Sequence, residues 1–362
     1  MNADRRLADV RRHVAALDVG AFLVNRSSNV RFVTGFDAVF DEEPASLAVV
    51  TQEHSLLFVD SRYHEAATAA AEGTPWRVHG PEKDVWESAL RVVSEAGAAT
   101  LGIESSIDHK RFLKVAKDFT GTVVALDDVV EEVRTVKEDR EIERVAEAVA
   151  IGDAAFKFIL DVIAPGVTER EVALELEVHM RRNGSEGVAF PPIVAGGPNS
   201  SKPHATPGAR EFEPGDFVVL DFGARVGGYC SDMTRTVVLG PATDEQRTLY
   251  QTVLAANEAG LATLRAGRTG SQVDEAARSV IVAAGLGERF GHGLGHGVGL
   301  EVHEAPRLGP GSADVLAAGT VVTIEPGVYV PEFGGVRIED LAVANEDGCV
   351  VLTHSAKDLI EL

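Results

Sequence analysis

Between residues 20 and 127 short apolar runs rich in β-branched residues alternate with amphipathic stretches. The runs "GAFLVN" (20–25), "SLAVVT" (46–51), "SLLFVD" (55–60), "TLGIES" (100–105) and "TVVALD" (122–127) read as strands, while 63–72, 84–97 and 108–118 carry apolar residues at helical spacing. A further amphipathic helix is predicted at 5–17, with Leu7, Val10, Val14 and Leu17 on one side. Together these elements predict a small α/β domain over residues 1–132. After a charged hinge, the pattern from Glu138 onward is that of one long helix, and it stops at Pro165-Gly166. Residues 133–362 are expected to form a second domain, giving an α/β protein of two unequal parts.

The second part repeats itself. "PGVTEREVALELEVHMRRNG" (165–184) aligns without gaps on "AGRTGSQVDEAARSVIVAAG" (266–285), matching Gly166 with Gly267, Thr168 with Thr269 and Gly184 with Gly285. Each helical stretch is followed by a strand opening on glycine, "PGDFVVLDFGA" (214–224) and "AGTVVTIEPGV" (318–328), which sets Asp221 and Glu325 at the same place in their halves. Two helix-helix-strand-strand units related by a pseudo-twofold are predicted, and their seam is the natural place for a site.

Composition narrows the chemistry. At 362 residues, with 45% hydrophobic and 25% charged residues, the chain is a folded protein of more than one domain. It has no run of about 18 apolar residues and no signal-peptide core at its start, so it reads as a soluble protein of the cytoplasm with no membrane partner. A formal charge of -22 opposes binding to nucleic acid. Two cysteines, Cys230 and Cys349, exclude a disulfide scaffold and a cysteine-rich zinc module, so a bound metal would need oxygen and nitrogen ligands.

Such ligands are present. "FVVLDFGARVGGYCSDMTRTVVLG" (217–240) reads as a hairpin, and a turn centred on Val226-Gly227 would set Asp221 directly opposite Asp232, with Cβ atoms about 5 Å apart. Adjacent carboxylates repel and raise each other's pKa unless a cation lies between them, and two divalent ions about 3.5 to 4 Å apart would suit that geometry. A lone strand Asp is more often solvent-facing, but the other half does the same: Glu325 and Glu339 interrupt apolar strands in "VVTIEPGVYVPEFGGVRIEDLAV" (321–343), with a looser turn that leaves their register open. Then "GHGLGHGVGLEVHE" (291–304) sets His292, His296 and His303 among five glycines, which let backbone approach whatever the histidines surround. Hard oxygen ligands with one imidazole favour Mn, Co, Fe or Zn.

With these motifs the chain resembles the pita-bread metallopeptidases, which include the Xaa-Pro aminopeptidases, the Xaa-Pro dipeptidases (prolidases) and, more distantly, the methionine aminopeptidases. "SNVRFVTGF" (28–36) and "FVDSRY" (58–63) are similar to the creatinase-like N-terminal domain of short bacterial proline peptidases. The resemblance implies Asp221, Asp232, His296, Glu325 and Glu339 as ligands of two divalent ions, with Asp232 and Glu339 bridging; Mn is the first expectation, Co or Zn the alternatives. It implies His204 and His303 as catalytic histidines beside Glu325, and His292 and Arg337 around the substrate pocket, Arg337 close to the metals. It also implies a homodimer.

The chemistry expected is hydrolysis of the bond before proline in a peptide with proline at its second position. Paired metals would lower the pKa of a water from about 15.7 toward about 7, and Glu325 would move the proton from water to the leaving nitrogen. An Xaa-Pro aminopeptidase is the preferred reading, on the similarity of the N-terminal motifs and the short length. The alternative is an Xaa-Pro dipeptidase, in which Arg307 would clamp the free proline carboxylate. A non-catalytic binding module is the remaining alternative, disfavoured by the presence of all five ligands.

Overall fold

The apolar runs of the first part pair into one six-stranded sheet. The computed structural model describes residues 3–36 and 46–362. In chain order its first unit contains α1 (Ala3–Ala16), β1 (Ala21–Val24), α2 (Ser27–Thr34), β2 (Ser46–Val50), β3 (Ser55–Asp60), α3 (His64–Ala71), β4 (Arg77–Glu82), α4 (Val85–Glu95), β5 (Thr100–Glu104), α5 (His109–Asp118), β6 (Thr122–Leu126) and α6 (Val129–Thr135). The strand order is β4-β3-β2-β1-β5-β6, with β2 antiparallel to both neighbours and the outer pairings parallel. Strands β1 and β2 are buried at every position, which is why they read as continuous apolar runs and not as alternating ones.

Three elements of this unit escape the apolar pattern. Strand β4 contains Gly80 and carries His79, and lies at the sheet edge where its unpaired side needs no apolar code. Helix α2 has only eight residues and ends at Gly35 in the left-handed region (φ 71°). The chain leading into it is held from a distance: Glu104, at the end of β5, accepts from the Asn25 and Arg26 amides just before the helix and from Asn29 Nδ2 within it, all at 2.6 Å. Helix α6 is one residue shorter still, below the length at which periodicity is legible.

The chain consists of two compact units, residues 1–134 and 135–362. The second unit begins with α7 (Asp139–Ile159) and α8 (Glu169–Arg182), followed by β7 (Ile193–Gly196), β8 (Phe217–Phe222), β9 (Arg225–Val226), β10 (Tyr229–Cys230) and β11 (Met233–Val238). It continues with α9 (Asp244–Thr263), α10 (Gly270–Ala283), β12 (Gly295–Gly297), β13 (Glu304–Leu308), β14 (Val321–Ile324), β15 (Gly327–Val330), β16 (Gly334–Arg337), β17 (Asp340–Ala344) and β18 (Cys349–Val351). Strands β11-β8-β7 form one antiparallel sheet and β13-β12-β14-β17-β18 another.

The two halves of this unit match in detail. Thr168 and Thr269 are both N-caps with complete capping boxes, closed by Glu171 and Gln272. Gly166 and Gly267 turn with φ of 86° and 80°, and donate to the Phe212 and Leu316 carbonyls at 3.0 and 2.9 Å. Each half has its own core: Val172, Leu176 and Met180 pack with Val218 and Leu220 in the first, Val273, Ala277 and Ile281 with Val322 and Ile324 in the second. Among the described residues no helix is long and apolar enough to cross a membrane.

Candidate metal centre

The first hairpin has a different register from the one its sequence suggested. Strand β11 sets Thr234, and not Asp232, opposite Asp221. The reason is the turn: it is centred on Gly227-Gly228, whose φ angles are 55° and 78°, because a tight two-residue turn of this kind needs both central residues left-handed and Val226 cannot take that conformation. Asp232 therefore lies two positions nearer the turn than the residue facing Asp221, just before β11. A slip of two leaves the side-chain face unchanged, and both carboxylates stay inside, Asp221 at 8% exposure and Asp232 at 5%.

The second hairpin, whose register the sequence left open, is set by flanking pairs. Ile324 faces Asp340 in one ladder and Gly327 faces Arg337 in the next, and the common register puts Glu325 across from Glu339. Behind them, the buried Asn257 of α9 donates through Nδ2 to the carbonyls of Ile324 and Ile338 at 2.9 and 3.3 Å, the residues directly before each glutamate. One side-chain amide thus pins both strands at the points where they present a carboxylate.

The glycines of the histidine stretch allow close backbone approach. A Cβ on Gly295 would collide with the Thr323 carbonyl, and one on Gly297 with that of Ala305. Between them, the His296 amide donates to Thr323 Oγ1 at 3.0 Å, and its Nδ1 lies 3.1 Å from the Gly297 carbonyl. A carbonyl only accepts, so Nδ1 carries a proton, and Nε2 is the nitrogen that faces the acids, 3.3 Å from Glu325 Oε1 and 3.8 Å from Asp232 Oδ2.

The electrostatics are those of a buried acidic cluster. Burial pushes the Asp232 carboxyl well above its usual range, and the charges of Glu339, Asp221 and Glu325 push it further. Glu339 is raised well above the carboxylate range by burial and by Glu325 and Asp221, against the hydrogen bond from Thr234 at 2.7 Å. Burial likewise raises Asp221, although Arg337 opposes it, and its Oδ1 is buried with no hydrogen-bond partner. Burial would raise Glu325 too, but its contact with His296 holds it below the usual range. Single ligand atoms of Asp232, His296 and Glu339 all lie within 4.8 Å of one another. Three buried carboxylates, the half-buried Glu325 and one imidazole nitrogen, with an Asp221 oxygen left unpaired among them, make a donor set that fits hard or borderline divalent cations.

The remaining expected residues fall into two groups. Arg337, expected near the substrate pocket, is 3% exposed and directs its nitrogens to protein acceptors: Asp221 Oδ2, Thr234 Oγ1 at 3.0 Å, Tyr329 Oη at 2.7 Å and the Pro203 carbonyl at 3.2 Å. That is the geometry of a group holding Asp221 in place. His292 is reached through Tyr329, whose hydroxyl lies 3.1 Å from its Nε2. His303 lies at the surface with its ring 4.2 Å from that of His296; partial burial of the ring and the charges of His296, His204 and Arg307 lower its pKa. His204 and Arg307 are exposed. Arg307 faces His296 directly in the β12/β13 ladder. Thr234, Tyr329, Asn257 and Thr323 also reach the cluster, and the sequence does not single them out. Nothing in their local sequence separates them from ordinary strand and helix residues; only the folded arrangement brings them to the cluster.

Known proteins share this fold. Residues 143–346 match Metallopeptidase family M24, and residues 6–136 match the Creatinase/Prolidase N-terminal domain. An Xaa-Pro dipeptidase of Pyrococcus horikoshii is 35% identical over 343 residues, 94% of this chain and 95% of that protein. Among solved structures, an Xaa-Pro dipeptidase from Bacillus anthracis superposes with a TM-score of 0.95 at 37% identity, covering 100% of both chains. An X-Pro aminopeptidase from Thermotoga maritima superposes with a TM-score of 0.88 at 34% identity, covering 100% of this chain and 99% of that one. The chain is therefore a metallo-exopeptidase: it belongs to Metallopeptidase family M24, with a Creatinase/Prolidase N-terminal domain ahead of the family segment.

Proposed function

We propose that the chain is an Xaa-Pro dipeptidase using two divalent ions, Mn before Co or Zn, held by Asp221, Asp232, His296, Glu325 and Glu339. The sequence motifs favoured an aminopeptidase. The observation that carries the dipeptidase reading is the ladder position of Arg307: cross-strand partners project to the same side of a sheet, so Arg307 stands beside His296 at the cluster. There its guanidinium can hold the free carboxylate of a C-terminal proline, which a longer peptide would carry one residue further out. The names of the dipeptidase relatives support the same reading.

Two bound divalent ions would supply Lewis acidity and an activated water. The rest falls to side chains. Glu325 accepts a proton from water, then passes it to the imide nitrogen, which has no hydrogen of its own before cleavage. His303, with its lowered pKa, is a neutral imidazole that donates a hydrogen bond to the scissile carbonyl, with His204 alongside. His292 belongs to the substrate pocket.

Hydrolysis of Xaa-Pro dipeptides and Xaa-Pro-Yaa tripeptides by wild type and Arg307→Ala tests this. A charge-assisted carboxylate contact contributes about 1.5 to 3 kcal/mol, and exposure places this one at the low end, about tenfold. The wild type is expected to prefer the dipeptide, and Arg307→Ala to lose about tenfold in dipeptide kcat/KM with the tripeptide nearly unchanged. Wild-type preference for the tripeptide, with equal small effects of the mutation on both, would return the assignment to the aminopeptidase.

A further inference from the structure

The segment 290–294, "FGHGL", carries His292 between two glycines: Phe290 and Leu294 at its ends are buried in the core, while a Cβ on Gly291 would meet nothing within 4 Å. Its backbone is held from α10 by two residues. Arg278 Nη1 donates to the Phe290 carbonyl at 3.0 Å and Nη2 to the His292 carbonyl at 2.7 Å. Asp274, 1% exposed, accepts the Leu294 amide at 3.0 Å and binds Arg278 in a two-point fork at 2.7 and 2.8 Å. The guanidinium also lies 4.1 Å from the centre of the Phe290 ring, which meets the His292 ring edge-to-face at 5.0 Å.

The helix does not need this pair for its own sake. In α8, the equivalent helix of the first half, the positions of Asp274 and Arg278 are occupied by Ala173 and Glu177. The fork exists only in the half that carries the histidines. From the fixed backbone, the His292 ring follows: its Nδ1 donates to the Gly293 carbonyl at 2.8 Å, and Nε2 then accepts from Tyr329 Oη, itself bound by Arg337.

We propose that Asp274 and Arg278 are positioning residues which act through His292, fixing its imidazole at the edge of the metal centre for the substrate. This deepens the proposed peptidase reading and rests on it for the kinetic part. The free-energy cost of ordering a glycine-flanked loop is met in advance by the fork, so the loop does not have to order when substrate arrives.

The test is a double-mutant cycle between Arg278→Met and His292→Ala, with amide hydrogen exchange on the metal-loaded protein. Arg278→Met is expected to speed exchange at Leu294 by about tenfold or more, since its acceptor loses its partner. It is expected to lower kcat/KM for an Xaa-Pro dipeptide by roughly tenfold, mainly through KM, with metal content at the wild-type level. In the His292→Ala background the same mutation should cost less than about twofold. Arg278→Lys, which keeps the charge without the fork, provides a milder variant should the methionine protein fold poorly, and is expected to show the same non-additivity. Unchanged exchange at Leu294, losses that multiply across the cycle, or loss of metal from Arg278→Met would overturn the assignment. A wild-type chain that leaves every Xaa-Pro dipeptide intact would count against the proposed activity, while the exchange measurement would still decide the fork.

Discussion

Replacing Thr234 with Val tests the candidate metal centre at one hydroxyl. Thr234 is 0% exposed and faces Asp221 across the first hairpin. Its Oγ1 donates to Glu339 Oε2 at 2.7 Å and accepts from Arg337 Nε at 3.0 Å, so it touches one proposed ligand and the arginine that holds another. Valine keeps the shape and strand preference and removes both hydrogen bonds. Each involves a charged partner and contributes about 1.5 to 3 kcal/mol, which sets an upper limit of roughly 3 to 6 kcal/mol. Arg337 keeps its bonds to Asp221, Tyr329 and Pro203, and a cation would take over part of the Glu339 charge, so the loss should be smaller. The expected result is the one usual for removing a ligand's hydrogen-bond partner: metal affinity falls by about 10- to 100-fold, or about 1.4 to 2.7 kcal/mol. Calorimetric titration of chelator-treated protein with Mn measures it, and Thr234→Ser, which restores the hydroxyl, should return to within a few-fold of wild type. If the valine protein binds Mn as wild type does while its unfolding midpoint drops, the hydroxyl serves the fold alone and the reasoning fails.

Asp232→Asn keeps the size of the side chain and removes a buried charge, so metal binding in equilibrium dialysis and peptidase activity should disappear together; an active variant with less than one ion per chain would refute the ligand assignment. His303→Ala should lower turnover by about 10² to 10³ with metal content near wild type, whereas metals lost along with His303 would make it a ligand. In the first unit, burial pushes Glu104 up to about 7, its three N–H donors only partly offsetting the effect. A carboxyl raised in the fold binds its proton more tightly there than in the unfolded chain, so this contribution to stability is complete below about pH 4.5 and is lost as pH rises to about 7. The loss amounts to about 3 kcal/mol. Thermal unfolding of the chain from pH 4.5 to 8 should show this decline for the transition that includes the first unit, and a pH-independent midpoint would contradict it.

Much of this protein is legible along the chain because the relevant signals are local. Buried strands of the first unit show as β-branched runs, and the repeated Gly-x-Thr openings of α8 and α10 show as matching caps because capping is decided within four residues. The acids Asp221, Asp232, Glu325 and Glu339 stand out because a carboxylate inside an apolar strand is costly without a partner. Short α2 and edge strand β4 are not legible, since distant groups such as Glu104 hold the first and the second has no apolar face to encode.

What the chain alone could not decide is how these parts meet. The register of the first hairpin turned on which two residues become left-handed, and the choice between Val226-Gly227 and Gly227-Gly228 moved Asp232 by two positions. Thr234 reaches Glu339, and Asn257 reaches both strands that carry Glu325 and Glu339, across separations of 67 to 105 residues. Such contacts have no local pattern: a threonine in a strand or an asparagine in a helix looks the same whether it faces solvent or a ligand. The residue types able to bind metal were determined by the sequence, and the hydrogen bonds that aim them exist only once the two halves have folded against each other, because a hydrogen bond requires its donor and acceptor to be within about 3 Å and aligned.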